Sequence, residues 1–81
     1  MRITTLLFAQ AREHAGAAEQ PLELPAGSRV SHALEALTAQ HPQLAALLPV
    51  LAVAVDGVLA RPDTALHEGA ELALLPPVSG G

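Results

Sequence analysis

Asp56-Gly57 stands between two apolar runs, Val50 to Val55 and Val58 to Ala60, and turns the chain back on itself. An Asp-Gly pair tolerates the two positive φ angles of a type I′ turn, and the twist of that turn matches two antiparallel strands. A hairpin here commits the chain to a sheet. At 81 residues there is room for one domain, which buries only roughly 60% of its unfolded surface. Any other element must therefore pack on that sheet. The hydrophobic fraction of 51%, supplied mostly by Leu, Val and Ala, is enough for one shared core.

The remaining elements follow from periodicity. Residues 2–8 place Ile3, Thr5 and Leu7 on one side and Thr4, Leu6 and Phe8 on the other, which suits an interior strand. Ala9 to Ala15 reads as a short helical connection ending at Gly16. Glu19 to Leu24 reads as an edge strand, because Pro21 has no N–H to give a neighbour. After the turn Pro25-Ala26-Gly27-Ser28, residues Val30, Ala33, Leu34, Leu37 and His41 recur at helical spacing, and Pro42 ends that helix. Ser28 or Ser31 is placed to cap its start, with no Glu or Gln three residues on to complete a capping box. A short helical turn over Gln43 to Leu48 is expected to stop at Pro49. With a last strand at Glu71 to Leu75, the order is β, β, α, β, β, β.

Composition removes many functions. Four Arg, no Lys and eight acidic residues give a net charge of −4, which repels a phosphate backbone, so no nucleic-acid partner is expected. Phe8 is the lone aromatic residue and offers no stacking platform; a basic partner surface fits better. No Cys is present, which excludes disulfides, thiolate nucleophiles and cysteine metal sites. The first residues, interrupted by Thr4 and Thr5 and followed by Gln10, Arg12 and Glu13, make neither a signal peptide nor a membrane span, which points to the cytoplasm.

Candidate chemistry inside the domain reads more simply as surface. His14, His32, His41 and His67 lie on separate elements without ligand spacing, so no metal site is expected. Glu68 and Glu71 form a close carboxylate pair, but a solvated turn explains them. Ser28, Ser31 and Ser79 lack a His-Asp pattern, and no phosphate-binding loop exists.

The end of the chain is different. Pro76-Pro77 ends the last strand and sends the backbone out in extended form, dividing the chain into a domain of residues 1–77 and a tail of residues 78–81, expected to be mobile. Val78, Ser79, Gly80 and Gly81 reach at most roughly 13 Å beyond Pro77. Two residues without side chains at the terminus suit a carboxylate that must enter a narrow channel.

Leu6-Leu7-Phe8-Ala9-Gln10-Ala11-Arg12-Glu13, the segment Gly27 to Leu37, Ala54-Val55-Asp56-Gly57, Leu66 to Leu72 and the ending Leu75-Pro76-Pro77-Val78-Ser79-Gly80-Gly81 resemble the MoaD family, the small subunit of molybdopterin synthase. The resemblance spans nearly the whole chain. It implies an α+β, β-grasp (ubiquitin-like) fold: a mixed sheet of about five strands, the first and last parallel at its centre, with one main helix on one face.

The resemblance also implies a sulfur carrier, not catalytic alone. Gly81 would be adenylated by an ATP-using adenylyltransferase of the ubiquitin-activating type, converted to a thiocarboxylate by a sulfur donor protein, and inserted into the large subunit to sulfurate cyclic pyranopterin monophosphate. No permanently bound cofactor is implied, and a two-plus-two heterotetramer with the large subunit is expected. In the tail, Pro76, Pro77 and Val78 would aim the terminus, Ser79 would follow, and Gly80 would keep the approach slim, while Phe8, Leu75 and Arg12 would contact partners. Sulfur carriers for thiazole or cysteine synthesis and ubiquitin-like protein modifiers share the Gly-Gly end and are the alternatives. An interaction module with an inert tail is a further one.

Overall fold

The computed structural model describes residues 1–76, and the Gly-Gly tail with Pro77 lies outside the described residues. Five strands form one sheet: β1 (Arg2–Leu7), β2 (Glu19–Glu23), β3 (Ala52–Val55), β4 (Val58–Leu59) and β5 (Glu71–Leu75). Their spatial order is β2-β1-β5-β3-β4. β1 and β5 pair in parallel at the centre, with Leu7 opposite Leu74, and the other strand pairs are antiparallel. The mixed β-grasp sheet expected from the sequence is present.

Alternation decides which face is covered. Ile3, Thr5 and Leu7 of β1 and Leu72 and Leu74 of β5 are buried on one face, against Val30, Ala33 and Leu37 of helix α2 (Val30–Gln40). The three helix positions are those of the apolar stripe. Burying such a Leu side chain is worth roughly 1.5–3 kcal/mol, so the face is held by many similar contributions. Thr5 is completely buried there, and its Oγ1 has no hydrogen-bond partner among the described residues.

The first helix, α1 (Ala9–Ala15), ends where Gly16 takes φ 76° and donates its N–H to the Arg12 carbonyl at 2.8 Å. β2 is an edge strand, as Pro21 requires, and Glu23 carries an exposed ion pair to Arg2 at 2.9 Å. At the hairpin Asp56 and Gly57 have φ of 50° and 82°, the two positive angles of a type I′ turn, and Val55 pairs directly with Val58.

Four local expectations are corrected. Ser28 does not cap α2; its hydroxyl donates to the Pro25 carbonyl at 2.7 Å and closes the preceding turn. Arg29 occupies the cap, and its backbone N–H donates to His32 Nδ1 at 2.9 Å. An imidazole nitrogen thus performs the half of a capping box that Glu or Gln ordinarily performs. The arginine side chain has no acceptor to supply the other half.

Pro49 does not stop the segment before β3. It lies inside a 3₁₀ turn, Leu48–Val50, which follows another over Pro42–Ala46. Proline is accepted there because a first-turn N–H needs no partner. Val50 is therefore drawn out of the expected strand, and β3 begins at Ala52. Ala60 likewise falls outside β4, leaving that edge two residues long.

Candidate functional site at the end of the sheet

The parallel pairing of β1 and β5 brings two ends of the sequence to one place. With Leu7 opposite Leu74, the next residues, Phe8 and Leu75, emerge together at the same end of the sheet. Leu75 pairs with Ala52, and Pro76 follows it at the surface as the last described residue. Phe8 continues the strand geometry with φ −126° and ψ 156°, so its side chain alternates to the face opposite Leu7. A large aromatic ring with 41% of its surface exposed thus stands on the uncovered face.

At the end near Phe8 that face is apolar, whereas its other end carries Thr4, Glu71 and the Arg2–Glu23 ion pair. Leu6 lies level with Ala73, Ala73 pairs with Ala54, and Ala54 pairs with Leu59, so these residues share one side of the pleat with Leu75 and Ala52. Leu59 is 74% exposed. Water-facing Phe and Leu on one continuous surface mark a contact area better than a lone apolar residue does. Arg12 stands one helical turn beyond Phe8, its backbone N–H reaching the Phe8 carbonyl at 3.4 Å, and its guanidinium forms no ion pair among the described residues.

Phe8, Leu75, Arg12 and Pro76, chosen from the sequence, are therefore gathered at one end. Pro77, Val78, Ser79, Gly80 and Gly81, the other positions expected to act, lie outside the described residues. Leu59 and Val50 were missed by sequence reasoning. The signal for Leu59 was its register across the Asp56-Gly57 turn, which puts it opposite Ala54 and on the Leu75 face.

The rest of the polar surface is structural. Among the described residues no group of three or more His, Cys, Asp or Glu side chains is arranged to hold a metal ion. Glu68 Oε1 accepts the Arg2 backbone N–H at 3.0 Å, which ties down the loop before β5 and does not pair it with Glu71 for acid–base work. Asp56, read from sequence only as a turn residue, ties the hairpin to β5: its Oδ1 accepts the Glu71 N–H at 3.0 Å and its Oδ2 meets His67 Nε2 at 2.5 Å.

His67 Nδ1 faces the Glu68 carbonyl at 2.9 Å, so both ring nitrogens meet acceptors and the doubly protonated ring fits best. The Glu71 N–H and then the His67 ring hold the Asp56 carboxyl below its ordinary 3.8. The Asp56 carboxylate and then the Glu68 carbonyl hold His67 above its ordinary 6.5.

A β-grasp sheet whose central strand β5 ends at Leu75, only five positions before the pair Gly80-Gly81, defines a ubiquitin-like protein of the kind that works through its C-terminus. The chain belongs to the ThiS family, whose sequence profile matches residues 5–81. Among curated relatives, the molybdopterin synthase sulfur carrier subunit of Chlamydomonas reinhardtii is 39% identical over the full length of both chains. The subunit of the same name from Arabidopsis thaliana is 32% identical over all of this chain and 84% of its own length.

Among solved structures, SAMP1 from Haloferax volcanii superposes with a TM-score of 0.91 at 32% identity, covering all of both chains. A chain in the protein-protein complex of subunits 1 and 2 of the Helicobacter pylori molybdopterin-converting factor shares the fold at a TM-score of 0.71 and 24% identity, again over all of both chains. The resemblance inferred from the sequence motifs is borne out.

Proposed function

We propose that this chain is the sulfur-carrier subunit of a molybdopterin synthase. The observation that carries the reading is the family match through residues 5–81, terminal glycines included, together with end-to-end identity to a subunit of that name. A carboxylate is a poor electrophile, so the Gly81 carboxyl must first be activated. A partner adenylyltransferase joins it to AMP from ATP and releases pyrophosphate. Sulfur from a donor protein then attacks the acyl carbon, a C–S bond forms, and AMP leaves.

The thiocarboxylated terminus enters the large subunit and transfers its sulfur to cyclic pyranopterin monophosphate in molybdenum cofactor biosynthesis. No nucleotide need bind this chain, because the phosphates and their charge are handled by the activating partner. Phe8, Leu75 and Arg12 form the contact surface beside the tail, and Pro76 and Pro77 stiffen the approach of Val78, Ser79 and Gly80. Assembly as two carriers on a dimer of large subunits, in the cytoplasm, completes the reading. Among the described residues no helix is long and apolar enough to cross a membrane.

The test is a mass measurement on the full chain incubated with ATP, the activating enzyme and a sulfur source. The intact protein gains the mass difference between one sulfur and one oxygen, and removing Gly81 abolishes the gain. An unchanged mass with active partners refutes the carrier reading.

A second reading, a modifier joined to other proteins, is favoured by the close superposition on SAMP1, a small archaeal modifier protein. The chain has no Lys of its own to receive an isopeptide. Peptide mapping of cell extract for lysines carrying this chain's terminal Gly-Gly distinguishes the two readings.

A further inference from the structure

Where the chain leaves β5, a groove of about 330 Å³ is walled by Ala9, Gln10, Leu47, Val50, Leu51 and Pro76. Among the described residues that line it, Gln10 carries the one polar side chain. A small-molecule site ordinarily brings several polar groups together to fix its ligand, so this groove fits an apolar side chain better than a metabolite. Val50 at its rim is 55% exposed, and the exposed Phe8 adjoins its Ala9 wall. Burial of a hydrophobic rim of this kind awaits a second surface.

Two further observations single the groove out. Ala9 has φ 50°, the left-handed region, which costs a residue with a Cβ roughly 1–2 kcal/mol. The strained residue lets the chain stop β1, turn Phe8 outward and begin α1 within a single step, and its small side chain keeps the groove open. Strain of this kind persists at sites where the local shape is used.

The other observation is the spacing from Pro76 to Gly81, five residues that span at most roughly 17 Å. A partner whose reaction centre holds Gly81 must come within that distance of Pro76. A protein is far wider than the gap, so its surface rests on the residues around the exit.

We infer that this groove is the anchor point for an apolar side chain of the protein that receives the tail, the large subunit of the synthase. The inference rests on the sulfur-carrier reading and adds a place where the two chains lock. An aliphatic or aromatic side chain from the large subunit sits between Val50 and Pro76, and the Gln10 amide bonds a neighbouring backbone group. Seating it beside the exit fixes how far the partner's surface lies from Pro76, within the roughly 17 Å that separates Pro76 from Gly81. Buried apolar anchors of this kind dominate binding energy at interfaces.

Binding of full-length chain to purified large subunit, measured by calorimetry, tests the inference. Val50→Glu puts a charge into the groove and weakens binding by about tenfold or more, a loss of about 1.4 kcal/mol. Val50→Leu keeps the wild-type affinity to within about threefold. Ala26→Glu, with the same charge change on the exposed turn beside the other end of the sheet, leaves the affinity within about twofold.

Equal urea midpoints for the four proteins establish that folding is unaffected. If wild type binds and Val50→Glu binds equally well, the groove is not the anchor and the inference is overturned. If wild type does not bind the large subunit at all, the sulfur-carrier reading itself fails together with the inference.

Discussion

Replacing Thr5 by Val is expected to stabilise the protein, although it removes a polar group from a strand that interior pairing already holds. Thr5 is fully buried on the helix-covered face of β1, between Ile3 and Leu7 along the strand and beside Leu72 on β5. Its Oγ1 meets no acceptor or donor among the described residues, so the hydroxyl has given up water without replacement. An unsatisfied buried polar group costs roughly 1–3 kcal/mol. Valine has nearly the same shape, which avoids the cavity and overpacking terms that dominate other core changes.

The expected gain is about 1–2 kcal/mol, the lower part of that range, since the native site has adapted to the hydroxyl. For a domain of this size each kcal/mol moves Tm by roughly 4–8 °C, so a rise of about 4–16 °C is expected. Against a total stability of roughly 4–12 kcal/mol the change is large. Urea unfolding followed by circular dichroism gives the cleaner test: the midpoint rises while the slope m stays constant. A midpoint that falls with unchanged m refutes the reasoning, because it requires that Oγ1 has a stabilising partner, such as a bound water. Thr4→Val, on the half-exposed face of the same strand, separates this effect from β-propensity and changes stability by less than about 0.5 kcal/mol.

The Asp56–His67 contact makes stability depend on pH in a defined window. His67 is raised, so its contribution is complete below its ordinary 6.5 and is lost as pH rises through the folded value; Asp56 is lowered, so its contribution is present above its ordinary 3.8 and is lost as pH falls through its folded value. The difference in urea midpoint between wild type and His67→Gln is therefore greatest between those two values and shrinks on the alkaline side; a difference that grows with pH above roughly 7 contradicts the sign. Gly57→Ala places a Cβ at φ 82° in the hairpin and costs about 1–2 kcal/mol in the same assay, while the open space around Gly57 excludes a steric clash as the cause.

Much of the fold was legible because it is set by local periodicity. The stripe Val30, Ala33, Leu37 described α2, the Asp56-Gly57 pair described the hairpin, and Pro21 assigned β2 to an edge before any neighbour was known. The misreadings lie where two local codes compete. Val50 carries strand propensity, but Pro49 next to it fits a 3₁₀ turn, and the packing of Leu44 into the core drew that segment into helical turns. His32 served as the acceptor at a helix start because its ring reaches back one turn, a role that residue statistics assign to Glu or Gln.

The candidate site divides in the same way. By its own residues the sequence determined that the last strand stops before Pro76-Pro77, because proline cannot pair in a sheet interior wherever it stands. Tertiary structure alone decided that Phe8, far from Leu75 along the chain, stands beside it, since that proximity comes from the parallel register of β1 and β5. It also decided that Leu59 shares their face, that Asp56 holds His67, and that a groove opens at Ala9. Those relations are made by long-range pairing, which places residues by strand register and not by spacing along the chain.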